Sequence, residues 1–291
     1  MITDWVVGSE HKLGDVSQVP LFLRKPSRDI PLIDLSKATW VGPASIVALA
    51  AHAHRLVAKG YQPRFIPPIN ADLARYITRI GLKRTMSDLG ISCDLPTVTP
   101  NNEINQKNLV ELAHFSCERD VSKLIEILTY RKLDPDVLRP LAVSLSEMGN
   151  NVANHAEVDC GYMAAQVTSN GELLRFAVAD SGVGILATLR SKGAESHKNA
   201  INMALQGISQ TGRVGRGQGF RNMKAAIASV GGIAHLLSGD TRAAIHPEHT
   251  AFWQYGQIVS GTIFDAQIPL RTSQTPCTRQ LLERNQAQAS V

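Results

Sequence analysis

The strongest periodic signal lies between residues 139 and 184. In RPLAVSLSEMGNNVANHAE, Leu141, Leu145, Met148 and Val152 recur at spacings of four, three and four, the period of one buried helical face. Glu147, Asn151 and His155 follow at intervals of four on an adjacent stripe, so they stack along one side. A carboxylate and an amide beside a core-facing stripe point to a site between helix and sheet. Downstream, Leu174, Phe176 and Val178 alternate with their neighbours as a strand does. That strand ends in Asp180-Ser181-Gly182-Val183-Gly184-Ile185, an acid followed by two glycines separated by one residue, which predicts a tight turn approached by a ligand. Ser169-Asn170-Gly171 reads as a hairpin turn joining this strand to another over 164–167.

A third stretch, GRVGRGQGF over 212–220, alternates Gly215, Gly217 and Gly219, and Phe220 opens a helical run with Met223, Ala226, Ile227 and Val230. Glycine-rich backbone feeding a helix N-terminus makes an anion cradle. The spacing is neither that of a P-loop nor that of a dinucleotide-binding turn after a first strand.

The first hundred residues alternate differently. A short strand over 19–23 and a strand over 29–35 precede a turn at 39–43. Residues 44–58 then read as an amphipathic helix with Ile46, Leu49, Ala53, Leu56 and Val57 inward, ended by Gly60. A strand over 62–66 leads to a helix over 71–80, capped by Asn70 and closed by Gly81, whose Leu73, Tyr76, Ile77 and Ile80 read as core. His52 and His54 point different ways on their helix, so no metal site is expected there. This alternation predicts a small α/β domain over 1–100. Residues 82–106, with Pro96 and Pro100, read as a connector.

The second domain, 101–270, is expected to open with helices over 107–117 and 121–130. It continues through the Glu147 helix and the two hairpin strands. A strand over 233–237, a polar interruption over 239–259 and a closing strand over 261–270 complete it. Residues 271–291, rich in Gln, Arg, Thr and Ser, read as a flexible tail.

Composition narrows the function class. The 291 residues are 44% hydrophobic and 19% charged, with a formal net charge of +5 and no concentrated basic block, so nucleic acid is not the expected partner. Cys93, Cys117, Cys160 and Cys277 are scattered without metal-ligand or disulfide spacing. No signal core or membrane-length apolar run is present, and a cytoplasmic location is expected.

Taken together, Glu147-xxx-Asn151 with His155, Asp180-x-Gly182-x-Gly184-Ile185, Gly215-x-Gly217-x-Gly219-Phe220 and Gly261-Thr262 before a closing strand resemble the GHKL (Bergerat) ATP-binding fold. Gyrase B, Hsp90, sensor histidine kinases and MutL share that fold. The resemblance covers roughly 105–270 and is closest to the serine kinases that act as anti-sigma factors; 199–220 resembles their lid. It implies a two-layer α/β sandwich with a mixed sheet, and Mg2+ and ATP as cofactors. Asn151 would hold Mg2+ and Glu147 would position or deprotonate the attacking water or hydroxyl. Asp180 would accept from the adenine amino group with Thr262 in support. Gly182, Gly184 and Ile185 would pass beside base and sugar. Gly215, Arg216, Gly217, Gly219 and Phe220 would wrap the phosphates. Phe220 departs from the more usual Leu but stays apolar.

The stretch IDLSKATWVGPASIVALAAHAHRLVAKG resembles STAS domains, partners of such kinases. Pro43 stands where the family carries its phosphate-accepting serine, and Ser45 is displaced by two residues. The domain therefore reads as a docking or regulatory module. ATP hydrolysis, phosphorylation of a protein hydroxyl, and non-catalytic ATP or ADP sensing that controls a partner through the N-terminal domain all remain open. So does a homodimer. A phospho-accepting histidine helix survives only as His114 within 109–117.

Overall fold

A computed structural model of the chain describes residues 3–9, 11–26, 28–98, 109–130, 135–155, 160–168, 172–208 and 219–270. The chain is a mixed α/β protein of two mostly separable units.

The first unit contains β1 (Asp4–Val6), β2 (His11–Leu13), α1 (Val19–Phe22), β3 (Leu23–Arg24), β4 (Leu32–Asp34), β5 (Ala38–Val41), α2 (Pro43–Ala58), β6 (Arg64–Ile66), α3 (Ala71–Arg79) and α4 (Leu82–Asp88). Four strands form a mixed sheet in the order β3-β1-β4-β6, and β2 pairs with β5 in parallel. Asn70 caps α3 by accepting from the N–H groups of Asp72 and Leu73.

Three expectations are corrected in this unit. Residues 19–22 are a helical turn, because Pro20 fits the first turn, where no N–H is needed. Residues 38–41 are a strand: Thr39, Trp40 and Val41 suit an extended, half-buried chain, and only Gly42-Pro43 makes the break, as N-cap and first residue of α2. The connector begins with α4, whose Leu82 and Met86 are buried one turn apart.

The second unit contains β7 (Leu109–Phe115), α5 (Glu118–Tyr130), α6 (Pro135–His155), β8 (Gly161–Thr168), β9 (Leu173–Asp180), α7 (Gly184–Leu189), α8 (His197–Leu205), α9 (Gly219–Ser229), β10 (Ile233–Ile245) and β11 (Thr250–Pro269). Its sheet has the order β10-β11-β9-β8-β7 and every pairing is antiparallel, which corrects the expected mixed sheet. The β8–β9 and β10–β11 neighbours follow each other directly in the chain, as antiparallel strands can; β7 and β8 also pair antiparallel, although α5 and α6 lie between them. Residues 109–115, expected as helix, are the edge strand β7: Leu112 and Phe115 are buried, and the chain pairs with β8. His114 is therefore an exposed residue on a strand, not part of a phospho-accepting helix. The polar stretch 239–259 is the distal half of the long β10–β11 hairpin. The expected tail, 271–291, lies outside the described residues.

Two cores lie on opposite faces of this five-stranded sheet. One holds Phe176 and Val178 of β9 and Phe264 of β11 with Leu141, Leu145 and Met148 of α6 and Met223 and Ile227 of α9. The other holds Ala177 and Ala179 of β9, Tyr162 and Ala164 of β8 and Ile263 of β11 together with the entire first-unit core. The helix α2 packs between the two units. Its Ile46, Val47, Leu49, Ala50, Ala51 and Ala53 are all buried, on more than one side of the helix. The expected single inward face was too narrow; a helix apolar nearly all round is a buried helix.

Polar contacts tie the units together. Tyr76 donates to Gln166 Oε1 at 2.9 Å, Arg175 donates to the Gly14 carbonyl at 3.0 Å, and the Leu112 N–H donates to the Ile80 carbonyl at 2.6 Å. The start of α2 is covered. Ser45 is 0% exposed, so its hydroxyl is no phosphate acceptor in this arrangement.

Candidate functional site

The acid that ends β9 sits in a row across the sheet. Asp180 opposes Gly161 of β8 on one side and Thr262 of β11 on the other, and Thr262 opposes Ser238 of β10. By strand alternation, Asp180 and Thr262 continue the series Phe176, Val178 and Phe264, so they face the helix-covered side. Asp180 is 5% exposed. Burial pushes its carboxyl up to about 6; the N–H groups of Gly182 and Thr262 and the Thr262 hydroxyl pull it down by donating to it. A carboxylate offers about four acceptor positions. Three internal donors leave about one for a further donor.

The turn after Asp180 is fixed by side chains from elsewhere. The Gly182 N–H donates to Asp180 Oδ1 at 2.7 Å, and the Ile185 N–H donates to Ser238 Oγ at 3.1 Å. Ser238 in turn donates to the Gly261 carbonyl at 2.9 Å. Gly184 has φ +80°, and a Cβ there would stand 2.9 Å from Ser238 Oγ and 3.2 Å from the Gly261 carbonyl. Only glycine fits that approach. Ile185 is buried in the helix-side core.

A second cluster forms where α6 meets α9. Glu147 Oε1 accepts from Asn222 Nδ2 at 3.1 Å, and Glu147 Oε2 would stand 2.7 Å from a Cβ on Gly219. The carboxylate thus lies against the first turn of α9, where unpaired N–H groups favour negative charge. Phe220 is half-buried against the same core. Met148 and Ile185, neighbours of Glu147 and Gly184, belong to that one core, so both clusters border it. Asn151 and His155 lie on α6, one and two turns beyond Glu147, with side chains outside the described residues. Gly215, Arg216 and Gly217 lie wholly outside them.

The first unit reaches the turn from the opposite side of the sheet. Arg55 of α2 donates through Nη1 to the carbonyls of Ser181 at 2.9 Å and Gly182 at 3.4 Å. Burial draws its guanidinium below its ordinary range. A cavity of about 30 Å³, lined by Trp5, His52, Arg55, Lys59, Asp180 and Ser181 among others, lies at this junction. His52 meets Trp5 in a tilted ring contact with centroids 5.9 Å apart, whereas His54 meets Tyr162 at 3.0 Å and Cys160 at 3.0 Å, so the two histidines diverge. Among the described residues no group of three or more His, Cys, Asp or Glu could hold a metal, and no helix is long and apolar enough to cross a membrane. Arg55, Ser238 and Asn222 carried no sequence signal of their own: each acts on a partner far away in the chain.

The chain matches no protein-family model and no curated protein sequence.

Proposed function

We propose that the second unit binds Mg-ATP in the manner of the GHKL proteins and acts as an ATPase or a protein serine/threonine kinase. The observation that carries this reading is the Asp180–Thr262 pair on neighbouring strands. A buried carboxylate there keeps acceptor capacity beside a turn whose Gly184 has the left-handed conformation that favours glycine. An exocyclic adenine amino group is the donor such an acceptor suits.

The donor chemistry also fits the metal. Asn151 would offer a hard amide oxygen one turn beyond Glu147 on α6, and Mg2+ commonly takes only one or two protein oxygens beside phosphate and water. Bound there, the ion would neutralise charge on the phosphates. Asn151 would hold it. Glu147, beside the first turn of α9, would orient or deprotonate the attacking hydroxyl or water. The glycine run 215–219 would wrap the phosphates ahead of that helix.

A second reading has its own support. Arg55 links the first unit to the turn beside Asp180, so nucleotide occupancy could be passed to a partner bound on the first unit without turnover. Radiolabelled ATP separates the readings. Free phosphate or labelled protein that depends on Glu147 supports the enzyme. Binding with neither supports the sensor. Absence of binding, with and without Mg2+, overturns both.

A further inference from the structure

We propose that Arg55 is a positioning residue that holds the Asp180 carboxyl through a single peptide group. The carbonyl of Ser181 and the N–H of Gly182 belong to the same peptide unit. The carbonyl accepts from Arg55 Nη1 at 2.9 Å, and the N–H donates to Asp180 Oδ1 at 2.7 Å. In a trans peptide these two bonds point in opposite directions. The peptide is therefore gripped at both ends, by a cation on one side and a carboxyl on the other, and no cis peptide occurs among the described residues.

Two physical effects follow. The cation on the carbonyl polarises the peptide, so its N–H becomes a stronger donor to Asp180, as chained hydrogen bonds do. The grip also blocks rotation of the peptide plane. With Arg55 removed, the plane can turn and present the Ser181 carbonyl to the carboxyl, replacing a donor with an acceptor. Both changes disfavour the ionised carboxylate. The contact at 3.4 Å to the Gly182 carbonyl steadies the same turn.

Among the described residues, the groups around Asp180 come from three neighbouring strands and from the first unit. Thr262 donates from β11, Gly161 of β8 carries no side chain, and Ser238 on β10 holds the Ile185 N–H. On the first-unit side the cavity it borders carries Arg55, Lys59 and His52, and burial lowers His52 to about 4, which keeps it neutral near pH 7. Cys160 and Tyr162 flank Gly161 and engage His54, and burial pushes the Tyr162 hydroxyl upward. Arg55 and Lys59 are the cations that line that cavity.

The effect on nucleotide rests on the function proposed above; the effect on the carboxyl does not. The experiment is a 13C-carboxyl NMR titration of Asp180 in the full chain, for the native protein and for Arg55→Lys, Arg55→Gln and Arg55→Met, alongside calorimetric binding of ADP. Arg55→Gln keeps an N–H donor without charge, and Arg55→Lys keeps charge with a simpler donor, so a loss of fold in Arg55→Met leaves two informative variants. The expected result is an Asp180 midpoint that rises in Arg55→Gln and rises less in Arg55→Lys, with ADP binding weakened several-fold in the same order. An Asp180 midpoint that is the same in every folded variant overturns the proposal. A midpoint that moves while the native protein binds no ADP upholds the role of Arg55 and removes the nucleotide reading instead.

Discussion

Glu147 and Asn222 meet side chain to side chain, with Nδ2 of Asn222 donating to Oε1 of Glu147 at 3.1 Å across the contact between α6 and α9. Among the described residues, the partner of this carboxylate oxygen is a neutral amide. Replacing Glu147 with Gln keeps the size and a polar contact to Asn222 but removes the base. ATP affinity is expected to stay within about twofold, while phosphate release or transfer falls roughly 10²–10⁴-fold. Steady-state assay with labelled ATP checks it; native turnover in Glu147→Gln removes the residue from the chemistry.

Two buried groups oppose each other on the pH axis. Asp180 is raised to about 6, so the folded state binds a proton that the unfolded chain has released between about 4 and 6, and stability falls as pH rises through that window. His52 is lowered to about 4, so the unfolded chain binds the proton first, and stability falls as pH drops from about 6.5 to 4. Each contributes up to about 3 kcal/mol, with opposite sign. Urea unfolding of the native protein at pH 4.5 and 6.5 is expected to show partial cancellation of the two. Relative to it, His52→Leu should lose stability toward pH 6.5 and Asp180→Asn should gain it. Identical pH slopes in all three proteins would remove both assignments.

Gly149 of α6 lies against Val121 of α5, where an added Cβ would run into the valine Cγ2. Gly149→Ala is expected to cost roughly 1–3 kcal/mol by overpacking, despite the better helix propensity of alanine. Combined with Val121→Ala, the loss should be smaller than the sum of the single losses by about 1 kcal/mol or more. Denaturant midpoints of the four proteins close the cycle, and strict additivity would show that the helices slide apart instead.

At Gly184 the backbone conformation and the space agree. Gly184→Ala places a side chain at φ +80° and 2.9 Å from Ser238 Oγ. A loss of about 1–3 kcal/mol is expected from the backbone term alone. Because the Ile185 N–H rests on Ser238, nucleotide affinity should fall as well. Thermal melts with and without ADP measure the two effects separately.

The long helices α2, α3 and α6 and the strand that ends at Asp180 are legible because their signals are local. The α3 cap at Asn70 and the buried Leu141, Leu145 and Met148 needed only short-range periodicity. Residues 109–115 misled because LVELAHF satisfies either period over one turn, and the choice was made by β8, about fifty residues on. The alanine-rich run of α2 is compatible with burial on two sides, but the second covering layer comes from strands of the other unit, which no local pattern encodes. Arg55 lies in the last turn of α2. Its acceptor is 126 residues away, and no local pattern encodes that.

The two-sided burial of α2 also sets an order of events during synthesis. The helix is complete at Ala58, yet the strands that cover its second side run to Asp180, and Ile263 follows later still. At about 5–20 residues per second, the ribosome needs on the order of ten seconds to deliver those strands. For that interval the nascent chain carries an apolar flank without its cover, a surface suited to a holding chaperone.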